Sequence, residues 1–96
     1  MGLVELELKL REKLEFIILN LDSPLPNYEL EAGWLEETRQ RWHNNFENML
    51  ESLMSHEPLP DASIPRAMDF DGVTGGVLFE LGAEISALLR RHSTLL

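Results

Sequence analysis

Residues 3–21 carry the first apolar pattern of the chain, and two periods compete in it. Apolar and charged residues alternate strictly from Val4 to Arg11, which is typical of a half-buried strand. Wound as a helix, the segment places six apolar side chains in a stripe about 80° wide, namely Leu3, Leu6, Leu10, Leu14, Ile17 and Leu21. No other segment offers a strand for pairing, and Leu, Glu, Lys and Arg are good helix formers. We therefore predict a helix over residues 3–21.

Four further apolar residues of this helix fall outside the stripe, namely Val4, Leu8, Phe16 and Leu19. A helix that is apolar on more than one side usually has neighbours on more than one side. The first helix therefore offers a second surface for association.

Residues 34–56 give the clearest helical pattern. The apolar stripe of this second helix consists of Leu35, Thr38, Trp42, Phe46, Met49 and Leu53, with Trp34 at its border. The opposite face contains no cation and consists of Glu36, Glu37, Gln40, Asn44, Glu47, Asn48 and Glu51. Such a face is most often simply solvated, and a docking surface is the alternative interpretation.

Two segments interrupt the helical pattern. Residues 22–33 contain two prolines and Gly33, which predicts a break with a short turn capped by Asn27. Residues 57–72 contain three prolines, and we predict a long Pro-rich loop there, packed over the helices by its apolar residues.

A third helix is predicted over residues 74–91. Its seam has a coiled-coil-like spacing and continues past the helix end, and consists of Leu78, Leu81, Ile85, Leu88, His92 and Leu95. Small residues such as Gly82 and Ser86 flank the seam and allow another helix to approach closely. Asp71 or Thr74 is the predicted N-cap of this helix.

Composition supports a single helical domain over residues 1–96. The chain has 19 Leu against ten Val, Ile and Thr, and Leu keeps its rotamers in a helix while β-branched residues lose theirs. A chain of 96 residues buries one modest core. The predicted fold class is thus all-α: a three-helix bundle-like domain with a Pro-rich loop between the second and third helices. Surplus apolar surface on the first and third helices predicts a homodimer built through one of them.

Charge and cysteine content restrict the partners. Eight Lys and Arg against 17 Asp and Glu give a formal net charge of −9. Direct binding to nucleic acid or to an anionic membrane needs a basic patch, so we expect neither. The chain contains no cysteine, and acids at Glu5 and Glu7 disfavour a signal peptide. We therefore expect a cytoplasmic protein.

Three motifs resemble sites but are incomplete. Asp69, Asp71 and Glu80 have calcium-loop spacing, yet the central ligand and the turn glycine of that loop are missing. Residues 72–76 are Gly-rich but lack the Lys of a phosphate loop. His43 and Glu47 lie four residues apart, as two metal ligands of the three or four that a site needs. We expect no cofactor, no metal and no enzymatic activity.

The leading functional hypothesis is a small acidic protein-interaction module. In its sharper form this is an inhibitor, immunity or antitoxin-like protein that docks on a basic surface of a partner protein. The candidate binding residues are Glu36, Glu37, Gln40, Asn44, Glu47, Glu51 and Trp34. One alternative is a regulatory domain with a small-ligand pocket under residues 57–72, near Trp34, Phe70 and the Gly72–Gly76 turn. Another is a purely structural subunit of a homo-oligomer.

Overall fold

All three periodic segments fold as helices in the computed structural model, which describes residues 2–73 and 75–95. The elements are α1 (Leu3–Leu21), α2 (Asn27–Glu31), α3 (Glu36–Met54), a 3-10 helix (Ile64–Asp71) and α4 (Val77–Leu95). Within the described ranges no residue belongs to a strand. The all-helical class is therefore confirmed, with the short α2 and the 3-10 helix added to the three predicted helices.

Helix α1 lies at the centre of the packing, because it contacts both α3 and α4. Its buried side is the predicted leucine stripe from Leu6 to Leu21, which is almost completely excluded from solvent. Residues 4–11 lie in this helix, so the alternation of apolar and charged residues does not mark a strand. The buried residues follow the helical period because only one side of α1 packs against α3 and α4.

The start of α3 differs from the predicted one. The helix begins at Glu36, and Leu35 is its N-cap residue with extended backbone. Trp34, which leaves only 1% of its surface exposed, fills the core where Leu35 was expected, and Leu35 is 67% exposed. The helical period cannot be extended through residue 35, because the chain turns out of the helix there.

The end of α3 is closed by a left-handed residue. His56 has φ of +57°, the only positive value at a non-glycine residue in the described part of the chain. The amide of Glu57 donates to the carbonyl of Ser52 at 2.9 Å, and that of His56 donates to Leu53 at 3.3 Å. These two bonds form a Schellman motif, in which glycine usually occupies the position of His56.

Half of the predicted Pro-rich loop is helical. The carboxylate of Asp61 accepts bonds from the amide and hydroxyl of Ser63, at 2.8 and 2.6 Å, and this turn leads into the 3-10 helix. That helix packs against α4. At Gly82 an added Cβ would lie 2.8 Å from the Pro65 carbonyl oxygen, so the predicted close approach at the small residues occurs here.

Helix α4 begins later than predicted, at Val77, and its buried side is rotated. Leu89 replaces Leu88 in the buried set, and Leu95 is half exposed. Thr74, one of the two predicted N-caps, lies outside the described residues. The other, Asp71, ends the 3-10 helix six residues earlier. Because the remaining seam is buried inside the molecule, α4 does not present it for pairing with a second copy.

A carboxylate from α2 supplies the missing cap. Glu29 is buried, and its Oε1 accepts bonds from the amides of Val77 and Leu78 at 3.0 and 3.4 Å. Gly76, with φ of +93°, lets the backbone pass so close that a Cβ there would lie 2.7 Å from Glu29 Oε2. Negative charge at a helix N-terminus is stabilising, so Glu29 ties α2 to α4.

Candidate functional site

The six predicted polar residues of α3 form one exposed side of the molecule. We call this surface the acidic face; it consists of Glu36, Glu37, Gln40, Asn44, Glu47 and Glu51, all of them exposed. The face exists because the opposite side of α3, from Thr38 to Leu53, is buried against α1 and the rest of the core. Since α3 is a helix of 19 residues, the carboxylates are held on a rigid support.

Trp34 does not belong to this surface, although the sequence pattern placed it among the candidate binding residues. Its side chain is buried in the core cluster together with Phe46 and Val73, and a buried side chain has no surface to offer to a partner. Leu35, directly before the acidic face, is instead the large apolar residue exposed at this end of α3.

Glu36 is the most constrained acid of the face. The Arg39 guanidinium donates two hydrogen bonds to its carboxylate, one of them of 3.0 Å from Nε, and Gln40 donates a third at 3.2 Å. Arg39 also donates to the Leu21 carbonyl at the end of α1. The bonds from Arg39 lower the pKa of Glu36, and the same contact raises the pKa of Arg39. Arg39 therefore largely compensates the negative charge of Glu36. The sequence pattern had placed Arg39 on the flank of the face and not in a pair with one of its acids.

His43 lies between two carboxylates at the edge of the face. Its Nδ1 is 3.1 Å from Glu47 Oε1, and its Nε2 is 3.3 Å from Asp22 Oδ1 at the end of α1. The predicted pair of His43 and Glu47 thus exists, and it links α3 to the residue that follows α1. Across the described residues, no group of three His, Asp or Glu side chains is arranged to hold a metal ion.

Glu37 and Glu51 carry the free charge of the face. Neither forms an ion pair with any side chain that the structure describes. Both are exposed and lie near opposite ends of the 19-residue helix. They are the two residues of the acidic face that are most available to a cation of a partner.

Asp71, one of the two Asp residues of the calcium-like spacing, has a structural role, while the side chain of the other, Asp69, lies outside the described ones. Asp71 accepts a hydrogen bond from Trp42 Nε1 at 2.7 Å and one from Arg41 at 2.9 Å. Both carboxylate oxygens are therefore used to fasten the end of the 3-10 helix to α3.

A cleft lies beside the Pro-rich segment, but not where the sequence placed it. Its volume is about 600 Å³, and it runs between residues 58–63 and the last turns of α4, where Arg90, Ser93 and Thr94 line it. The predicted position near Trp34 is filled by the core, and the side chain of Phe70 lies outside the described ones.

Sequence reasoning missed Glu29 as a structural carboxylate. No local signal identifies it, because its amide partner in Val77 lies 48 residues away. The sequence pattern showed that α1 has apolar residues outside its main stripe. It did not show that only one side of α1 is buried, because periodicity alone does not identify which stripe packs against another helix.

Comparison with known proteins gives no relative: no protein family matches the chain, and neither a curated protein nor a solved structure matches it. Among the described helices, none combines the length and apolar character that crossing a bilayer requires.

Proposed function

We propose that the protein is a small acidic interaction module whose acidic face docks on a basic surface of a partner protein. The observation that supports this most is the pair of exposed carboxylates at Glu37 and Glu51 on a rigid helix, neither of which forms an ion pair with a described side chain. A formal net charge of −9 adds long-range attraction to a basic surface.

The acidic face acts mainly on the rate of association. Exposed carboxylates contribute little to binding free energy, about 0–1 kcal/mol for each pair, but they orient and accelerate the encounter. Leu35 adds an apolar contact at the start of the face, in place of Trp34. The attraction extends about 8 Å at physiological salt, so docking weakens as salt is added.

The sharper form of the proposal is an inhibitor, immunity or antitoxin-like protein that covers a basic, functional surface of its target. A chain without cysteine suits a reducing compartment, so we propose a cytoplasmic target. The acidic face then takes the place of an anionic substrate such as nucleic acid on the target, while the module itself does not bind nucleic acid.

A pull-down from native lysate at low and high salt tests the proposal. The variant E37K/E51K reverses the free charges of the face, and E31K/E57K makes the same charge change at exposed positions outside it. We expect the wild type and E31K/E57K to retain one basic protein at low salt, and E37K/E51K to lose it. Equal recovery of that protein by both variants would show that the acidic face is not the docking surface.

The cleft beside residues 58–63 favours a second candidate, a regulatory domain that binds a small molecule. Its volume of about 600 Å³ lies within the range of ligand sites, and Arg90 gives it a cation. A thermal-shift screen against metabolites tests this. Stabilisation by several degrees that is lost on Arg90→Ala supports it, and no shift with any compound rejects it.

A further inference from the structure

Helix α1 leaves a second stripe of apolar residues uncovered. Val4 is 73% exposed, Leu8 55%, Phe16 52% and Leu19 70%, all on the side of α1 that faces away from the core. Between the two apolar ends of this stripe lie Arg11, Glu12 and Glu15, also exposed. We call these seven residues the outer face of α1. The acidic face shares no residue with it.

Along the outer face of α1, the order of apolar and charged residues is nearly the same in both chain directions. Val4 and Leu8 form the first apolar end, Phe16 and Leu19 form the second, and charged residues occupy the middle. If two copies pack antiparallel about an axis near residues 11–12, Val4 lies opposite Leu19, and Leu8 lies close to Phe16. A two-fold interface requires this kind of self-complementarity.

The charges in the middle of the stripe are also self-complementary. Arg11 pairs with Glu15 of its own helix at 2.7 Å, and both are exposed. In the antiparallel arrangement Arg11 of one copy lies opposite Glu12 of the other, so two such pairs of opposite charge flank the axis. A parallel arrangement would instead place like residues opposite each other along the whole stripe, and not only at the axis.

The distribution of net charge favours contact at α1. Residues 3–21 carry three cations and four carboxylates, whereas the rest of the chain carries five cations and thirteen carboxylates. The excess negative charge thus lies almost entirely outside α1. Two copies of an acidic protein therefore repel each other less when they meet at α1 than when they meet at the acidic face.

A shallow cleft extends the outer face at one end. It has a volume of about 270 Å³ and lies between α1 and the end of α3, where apolar Val4, Leu8, Leu53 and Met54 line it together with polar Glu7, Arg11 and His56. Met54 is itself 55% exposed. The position opposite Val4 in the antiparallel pair belongs to Leu19, so this cleft receives Leu19 of the second copy.

We infer that the outer face of α1 binds a second copy of this chain in an antiparallel, two-fold dimer. The helix is 19 residues or about 28 Å long. One helix pair buries less than the about 800 Å² per partner of a standard interface, so the dimer is weak and depends on concentration. Salt strengthens it, because the repulsion between two copies is screened while the exposed pairs at Arg11 contribute little.

Single-cysteine variants test both the occupant and the orientation, because the chain has no cysteine of its own. Under oxidation, E12C crosslinks to itself near the axis. V4C does not, but a mixture of V4C and L19C gives the mixed dimer. The exposed control E51C on α3 gives no crosslink above background. Self-crosslinking of V4C, whatever the result for E12C, indicates a parallel pair, and absence of every α1 crosslink at high concentration indicates that no second copy binds there; either result overturns the inference.

Sedimentation velocity on the full chain provides the second measurement. Wild-type protein at several hundred micromolar shows a dimer that grows as salt rises from 50 to 500 mM. L8E/L19E weakens the dimer at least tenfold, whereas L35E, an equally exposed site on α3, leaves it unchanged. Far-UV circular dichroism confirms that both variants are folded, which the exposure of these sites predicts. A wild-type monomer throughout, or equal dimers for all three proteins, would overturn the inference.

Discussion

Glu29 shows how much a single side chain contributes when its bonds cross the molecule. It is the buried carboxylate that accepts the first amides of α4, from a helix of only five residues. The rest of α2 has little to hold it in place, since it does not pack extensively on the long helices. Glu29 therefore links the position of α2 to the start of α4.

Replacing this carboxylate tests the cap. We expect Glu29→Ala to lower the free energy of unfolding by about 2–3 kcal/mol, because two amides lose their acceptor in a buried place. Glu29→Gln keeps an oxygen acceptor and should cost about half as much. Chemical denaturation measures both, and amide exchange at Val77 and Leu78 localises the effect. A loss below about 0.5 kcal/mol for the alanine variant would show that the cap is not important.

His56 destabilises the fold, whereas Glu29 stabilises it, because the left-handed backbone conformation of His56 is unfavourable for a residue with a side chain. At φ of +57° glycine pays no steric penalty. We expect His56→Gly to raise the free energy of unfolding by about 0.5–1 kcal/mol, or about 2–8 °C in melting temperature. His56→Ala keeps the strain and serves as the control. If the glycine variant melts below wild type, the imidazole makes a contact that matters more than the strain.

Acid sensitivity also belongs to individual carboxylates. Arg39 lowers the pKa of Glu36, and the hydroxyl and then the amide of Ser63 lower the pKa of Asp61. A carboxyl with a lower pKa in the folded state binds fewer protons there than in the unfolded chain. Its stabilisation is therefore complete above the unfolded value of about 4 and is lost as pH falls through the folded value.

We expect the melting temperature to fall between pH 5 and pH 3, and the variant E36Q/D61N to fall less over the same range. Differential scanning calorimetry across this window measures both slopes. E31Q/E57Q, which removes two exposed carboxylates elsewhere on the surface, is the matched control for the change in net charge. Identical slopes for E36Q/D61N and the wild type would contradict the assignment of the acid-sensitive groups.

At the scale of the elements, the helical period predicted the buried and exposed sides of the long helices, but not the residues at which these helices begin and end. The leucine stripe of α1 and the acidic face of α3 follow from the helical period, because both extend over many turns. The exchange of Leu35 for Trp34 did not follow, since the first residue of a helix depends on how the preceding chain turns. The sequence did not predict the 3-10 helix, because its segment contains prolines and the helix is stabilised by tertiary contacts with α4.

Gly82 tests this contact between the 3-10 helix and α4. Alanine would gain about 1 kcal/mol of helix propensity, but its Cβ would lie 2.8 Å from the Pro65 carbonyl and 2.9 Å from Met68. Overpacking of this kind costs about 1–3 kcal/mol, and a backbone carbonyl yields little. We expect Gly82→Ala to lower the free energy of unfolding by about 1 kcal/mol. Ala87→Gly, at an exposed position of α4, reports propensity alone; a gain in stability for Gly82→Ala would contradict the close approach.

At the scale of the whole molecule, the distribution of charge separates two proposed surfaces. Helix α1 is nearly neutral and apolar on its outside, while the acidic face of α3 belongs to the strongly negative remainder of the chain. The two proposals therefore predict opposite effects of salt: it should weaken the binding of a basic partner at the acidic face and strengthen the pairing of two copies through α1. Salt dependence distinguishes the two events in the same protein.

The central claim is that the acidic face steers a basic partner, and the association rate tests it most directly. With the protein captured in the pull-down, stopped-flow mixing over 50–500 mM salt gives the rate constant at each ionic strength. We predict a wild-type rate that falls steeply with salt and a lower, flatter dependence for E37K/E51K, while E31K/E57K stays close to wild type. A rate that is independent of salt, or equal for the two variants, would contradict the claim.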